Sequence, residues 1–324
     1  MKHSNLTSLL TSNFPHQPTS DQLNVINVLT RFLLTEATHP TLIIRGYAGT
    51  GKTSLVNTIV KSLSEIKKHF VLLAPTGRAA KVMMNYTQSL ATTIHKKIYY
   101  SDNQNGEFGG FSLQRNMHKH TTFIVDEASM IGGDNFDFNY GASNLLDDLL
   151  SFIFSGENCQ LIIIGDSAQL PPVGTAISPA LNKSYLNAHF GLNIGQVELT
   201  EVVRQNKDSG ILFNATNIRM QLHANNNSFP QINLNFPDIF AITGMELEEE
   251  LDQAFSKFGD EDVIVLCRSN KRANLFNQQI RARIKWYEEE LCAGDRLMSV
   301  KNNYFWLDQT SKAGFIANGD AISI

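Results

Sequence analysis

The sequence predicts an α/β protein, with parallel sheets covered by helices on both faces and arranged as two tandem domains. Four short apolar runs carry the prediction: Thr-Leu-Ile-Ile-Arg-Gly at 41–46, Phe-Val-Leu-Leu-Ala-Pro at 70–75, Thr-Phe-Ile-Val-Asp-Glu at 122–127 and Gln-Leu-Ile-Ile-Ile-Gly-Asp at 160–166. Continuous runs of this kind suit strands buried on both faces, and their alternation with helix-like segments implies parallel order. The 324 residues, 42% hydrophobic and 18% charged, hold enough apolar material for two cores.

The first strand runs into Arg45-Gly-Tyr-Ala-Gly-Thr-Gly-Lys-Thr-Ser-Leu-Val56. Gly46, four residues, then Gly51-Lys52-Thr53 fit the pattern GxxxxGK[ST] without a mismatch. Glycines let the backbone turn so that successive N–H groups point into one concavity, and the following helix adds its positive end. Lys52 can then reach the β- and γ-phosphates, and the Thr53 hydroxyl can hold Mg2+. ATP with Mg2+ is therefore the expected cofactor, with Gly46, Gly49, Thr50, Gly51, Lys52, Thr53 and Ser54 as its binding residues. The motif sits at the carboxyl end of a strand, where open α/β sheets bind ligands.

Between Ile98 and Thr121 the pattern lapses into a Gly- and Asn-rich stretch with Asn105-Gly106 and Gly109-Gly110. These are hairpin turn signals, and the segment reads as either a small β-hairpin at about 99–120 or an irregular loop. The next strand ends in Asp126-Glu127. Asp126 is placed to hold Mg2+ through its water shell, and Glu127 to orient or deprotonate an attacking water. Asp beside Glu favours hydrolysis over transfer to a bound acceptor.

A second domain is expected from residue 196 to 293. Its Asn-rich tract at 222–235 reads as a loop, and Asp262-Val-Ile-Val-Leu-Cys-Arg-Ser-Asn270 as a buried strand followed by a helix over 271–285. Residues 246–262 carry eight carboxylates and one lysine, whereas 268–285 carry six Lys/Arg and no acid. The acidic run reads as a solvated face; the basic one suits a phosphate-facing edge or another solvated face.

The net charge of −4 gives no overall basic signature, so any nucleic-acid surface has to be a local patch. Cys159, Cys267 and Cys292 stand far apart without zinc-site spacing and suit a reducing compartment. No apolar run approaches the ~20 residues of a membrane span, and the N-terminus is too polar for a secretory signal. A cytoplasmic protein with no membrane contact is expected.

Further motifs follow in order: Ala74-Pro-Thr-Gly-Arg-Ala-Ala80, Thr93-Ile-His95, Gly165-Asp-Ser-Ala-Gln-Leu-Pro-Pro-Val173 and Leu199-Thr-Glu-Val-Val-Arg204-Gln205. In this order the sequence resembles the superfamily 1 DNA helicases of the RecD-like and Dda-like branch, which are P-loop ATPases of AAA type. The resemblance runs from Gln22 to the C-terminus. It implies two RecA-like domains, 1–195 and 196–293, with the start of an inserted SH3-like β-barrel at 294–324. It implies movement on single-stranded DNA with 5′–3′ polarity and contact with duplex junctions, with DNA-repair or recombination proteins as partners; a monomer is expected because one chain supplies both walls of the cleft.

Carried over by position, Gln22 resembles the residue that reads adenine. Pro75, Thr76, Arg78 and His95 match positions along single-stranded DNA, and Gln169 matches a link between the γ-phosphate and the DNA surface. Arg204 resembles an arginine finger reaching from the second domain, and the 99–120 segment falls where relatives carry a duplex-splitting hairpin. The later family motifs, of TxHxxQG and TRA type, do not occur in these residues. A truncated second domain and weak coupled hydrolysis are therefore expected. Two other readings stay open: a nucleotide-dependent switch without translocation, and a P-loop kinase, which should carry an acceptor pocket in place of the Gly165 segment.

Overall fold

The computed structural model describes residues 3–101, 111–132, 144–172, 175, 177–201, 209–224, 228–303, 306 and 316–324. The chain forms two compact units. One comprises Met1–Gln205 with Ser299–Asp320, the other Asn206–Met298 with Ala321–Ile324.

The first unit opens with α1 (His3–Ser12) and α2 (Ser20–Leu33). Thr19 begins α2 through a capping box, in which its hydroxyl accepts the Gln22 N–H and the Gln22 side chain accepts the Thr19 N–H. Then come β1 (Pro40–Gly46), α3 (Lys52–Glu65), β2 (His69–Ala74), α4 (Gly77–Thr87), β3 (Ala91–Thr93) and α5 (Ile94–Ile98). A short antiparallel pair follows, β4 (Tyr99–Ser101) with β5 (Phe111–Leu113). The unit continues with β6 (Thr121–Val125), α6 (Leu145–Phe154), β7 (Gln160–Gly165), α7 (Lys183–Phe190) and β8 (Asn193–Leu199).

Six of these strands form one parallel sheet in the order β3-β2-β6-β7-β1-β8. Successive strand side chains point to opposite faces, and here both faces are covered. Leu42, Ile44, Ile124, Ile162 and Ile164 join one core cluster with residues of α1, α2, α3 and α4. Their neighbours Ile43, Phe123, Val125, Leu161 and Ile163 join a second cluster with residues of α5, α6 and α7. The four predicted strands are thus the centre of the sheet, and the α/β class with helices on both faces holds. The β8 strand pairs with β1 from Asn193 to Leu199, so it crosses the boundary expected at residue 196 and adds an edge strand to the first sheet.

The second unit contains α8 (Gly210–His223), α9 (Leu247–Phe258), α10 (Asn270–Gln279) continued by a π-turn over Ile280–Ile284, and the antiparallel pair β9 (Arg296–Met298) with β10 (Ala321–Ser323). The strand expected at 262–270 is not laddered, and Ile264 and Leu266 are 80% and 86% exposed. An apolar run becomes a buried strand only beside a partner strand, and none stands there among the described residues. The acidic and basic runs partly neutralise each other: Arg283 pairs with Glu248 at 2.8 Å, and Lys285 pairs with Asp260. Arg281 grips Asp295 with two bonds, at 2.8 and 2.6 Å. Half of the cations in 268–285 are therefore committed within this unit, which weakens the case for a phosphate-facing edge there.

Candidate active site

The loop between β1 and α3 is built around its glycines. Gly49 and Gly51 lie at φ +79° and +96°, where side-chain-bearing residues are strained. A Cβ at Gly46 would stand 2.8 Å from Thr50 Oγ1, and one at Gly51 2.5 Å from Gln22 Nε2. Thr50 is fully buried and donates its hydroxyl to the Tyr47 carbonyl at 2.8 Å. Helix α3 begins at Gly51 with no side-chain cap, so its first amides are left for an anion.

Lys52 Nζ donates to the carbonyls of Gly46 and Tyr47 at 2.7 and 2.9 Å and faces Asp166 Oδ2 at 3.5 Å. The β1–β7 register, Arg45 opposite Gly165, brings Asp166 beside the loop. Asp166 is 4% exposed, and its other oxygen accepts the Ala168 N–H at 2.8 Å. It was not singled out from the sequence, although it lies in the Gly165-Asp-Ser-Ala-Gln segment at the end of a buried strand.

Asp126 and Glu127 leave the adjacent strand β6. Asp126 Oδ2 accepts the Tyr86 hydroxyl at 2.8 Å and Oδ1 accepts the Glu127 N–H at 2.8 Å. Burial raises the Asp126 carboxyl above its ordinary range, with Tyr86, the Glu127 amide and Lys52 pulling the other way. Glu127 is raised first by burial and then by the Asp126 charge, a direction that suits a general base. Its backbone lies in the left-handed region at φ +55°, which turns the chain into the 310 turn Ala128–Met130. Ser178 braces that turn by donating to the carbonyls of Ala128 and Ile131. Gln169 accepts the hydroxyl of the buried Ser129 at 2.8 Å, and its side chain draws the Glu127 carboxyl back toward the charged form.

The residues fit the groups they are expected to hold. Glycine turns, uncapped amides and Lys52 form a phosphate cradle. Thr53, exposed on the first turn of α3, and Asp126 offer hydroxyl and carboxylate oxygens, the hard donors that Mg2+ takes together with phosphate and water.

Gln22 is 1% exposed and already engaged: Nε2 donates to the Thr50 carbonyl at 3.0 Å and Oε1 accepts the Thr19 N–H at 3.0 Å. In this structure it anchors the phosphate loop. Beside it, Asp21 Oδ2 accepts the N–H and hydroxyl of Thr200 at 2.8 and 2.6 Å, tying α2 to the end of β8. Pro75 and Thr76 leave β2 next to the end of β3, because Ala74 pairs with Thr93. Thr76 caps α4 through the Ala79 N–H at 3.2 Å, Arg78 is exposed in its first turn, and His95 opens α5 with its ring against Tyr99. These four residues share one edge of the sheet end, and Asp126 stands between that edge and the phosphate loop. Arg204 lies outside the described residues, as do residues 102–110 of the segment expected to form a hairpin.

A parallel sheet with this loop, an uncapped helix and carboxylates at neighbouring strand ends forms a P-loop nucleotide site, and residues 31–175 match the AAA domain family. Within that class, the similarity is to superfamily 1 helicases of the Dda-like and RecD-like type. The chain is 32% identical over 205 residues to the ATP-dependent DNA helicase Dda of Enterobacteria phage T4, covering 62% of this chain and 42% of that protein. It is 27% identical over 147 residues to the ATP-dependent RecD2 DNA helicase of Deinococcus radiodurans, covering 44% of this chain and 17% of that one. The matches thus span less than half the length of either relative. The crystal structure of the Pif1 helicase from Candida albicans is also similar, at TM-score 0.45 and 18% identity over 88% of this chain and 56% of that chain.

Proposed function

We propose that the protein is an ATP-dependent DNA helicase or translocase moving on single-stranded DNA with 5′–3′ polarity. The observation that carries the reading is a shared sheet end: Lys52, Asp126 and Glu127 line one part of it, and Pro75, Thr76, Arg78 and His95 the neighbouring edge. ATP, bound with Mg2+, supplies the phosphoryl group whose transfer to water drives movement. Lys52 binds the phosphates, Thr53 and Asp126 hold the cation, and Glu127 orients and deprotonates the water. Gln169, bonded to Ser129 in the turn that follows Glu127, connects that turn to the loop after β7. Arg204 is proposed as the planar cation that stabilises the transferring phosphoryl group.

Single strands and duplex junctions are the proposed substrates. A local groove suffices for them, since phosphate contacts and base stacking do not require a basic protein overall. Among the described residues no helix is long and apolar enough to cross a membrane. A monomer working in the cytoplasm beside DNA-repair or recombination proteins is the proposed setting. The test is steady-state ATP hydrolysis with and without oligo-dT, beside Lys52→Ala. Stimulation lost in the variant supports the reading at any absolute rate. Tight nucleotide binding without stimulation would overturn it in favour of a nucleotide-dependent switch.

A further inference from the structure

Helix α4 begins at the proposed DNA edge and ends at the cation-holding carboxylate. Its amino end is capped by Thr76 and carries Arg78; its eleven residues span about 16 Å. Near its carboxyl end the half-buried Tyr86 packs its ring against the core and donates its hydroxyl to Asp126 Oδ2 at 2.8 Å. The helix is firmly seated: Met83 is 1% exposed and the Thr87 hydroxyl bonds back to the Met83 carbonyl at 2.7 Å. Asp126 is held to β2 as well, through its N–H to the Leu73 carbonyl at 3.0 Å.

Packing alone does not require the Tyr86 hydroxyl, because a phenyl ring would cover the same apolar surface. What the O–H adds is a directional partner for one oxygen of a carboxylate whose other oxygen is engaged by the Glu127 N–H. A hydrogen bond to a charged acceptor is short and directional, so a shift of the helix changes the position of Oδ2. We propose that Tyr86 is a positioning residue through which single-stranded DNA at the amino end of α4 alters the grip of Asp126 on Mg2+. The inference rests on the function proposed above and adds the physical link between its two sites.

The test uses Tyr86→Phe, which keeps the ring and removes the donor. The affinity of a fluorescent ADP analogue is measured with and without Mg2+ and with and without oligo-dT, in variant and parent alike, after melting curves establish that both are folded. In the parent, oligo-dT is expected to change the Mg2+-dependent affinity by about fivefold, the low end of measured site-to-site coupling. In Tyr86→Phe the Mg2+-free nucleotide affinity and the oligo-dT affinity stay within about twofold of the parent, while that coupling largely disappears. Equal coupling in the two proteins overturns the inference and leaves the proposed function standing. Nucleotide binding with no coupling in the parent overturns this link, while the function reading stands or falls on the stimulation of hydrolysis by oligo-dT. Asn85→Ala, on the exposed side of the same turn, retains the coupling; its loss there as well would show a general loosening of α4 and overturn the specific role of Tyr86.

Discussion

Gly51→Ala should damage the phosphate loop chiefly through Gln22. An alanine Cβ at this position would stand 2.5 Å from Gln22 Nε2, closer than real contacts allow. The amide cannot swing aside freely, because Gln22 is 1% exposed and fastened at both ends, to Thr50 and to Thr19. Moving it breaks the bond to the Thr50 carbonyl, and leaving a buried acceptor unpaired costs about 1–3 kcal/mol. The left-handed backbone at φ +96° adds about 1–2 kcal/mol for any residue with a Cβ. Together these give about 3.5 kcal/mol as a central value, which for a unit of this size lowers the melting temperature by roughly 10 °C.

Melting of Gly51→Ala, Gln22→Ala and the double variant separates the two parts. Without the Gln22 amide, Gly51→Ala should retain only the backbone part, about 1–2 kcal/mol, so the two substitutions couple by about 1–3 kcal/mol. An identical cost in both backgrounds, or a loss below about 0.5 kcal/mol in the single variant, would refute the reasoning. Nucleotide protection against melting should also fall in Gly51→Ala, since the displaced amides no longer converge on the phosphates.

Glu127→Gln should raise stability near neutral pH. The folded-state carboxyl of Glu127 is raised above its ordinary value of 4.5, so its favourable contribution is present below that value and lost as pH rises through the folded one. The gain from Gln should therefore shrink as melting is repeated at progressively lower pH, and a gain that grew in acid would contradict the sign. Hydrolysis should fall steeply in the same variant while nucleotide still binds, which a binding titration checks. Phe123→Ala removes a fully buried ring packed edge-on against Phe152 at 6.1 Å and His118 at 5.4 Å. Urea unfolding should show a loss of about 3–5 kcal/mol.

The sequence by itself determined the central strands and the phosphate loop, because both are written in local chemistry. Unbroken apolar runs such as Leu161-Ile-Ile-Ile164 have only a doubly covered strand in which to hide, and the β7 strand is buried accordingly. The spacing Gly46 to Thr53 carries its own backbone geometry, and Gly49 and Gly51 do take the left-handed conformations that the turn needs. Where pairing depended on a distant partner, sequence was a poorer guide. The alternating, partly polar run at 193–199 joined the first sheet because β1 had an open edge, whereas the more apolar run at 262–270 found no neighbouring strand among the described residues.

The same limit applies to the site. Lys52 and Asp166 are 114 residues apart, Tyr86 and Asp126 are 40, and Gln22 and Thr50 are 28. Each pair meets because strand order and helix seating bring the ends of different elements together. Residue types and spacings therefore nominated the groups proposed to meet phosphate and metal. Only the tertiary structure showed what holds those groups: Gln22 behind the loop, Asp166 beside the lysine, and a tyrosine hydroxyl on the carboxylate, contacts set by three-dimensional adjacency.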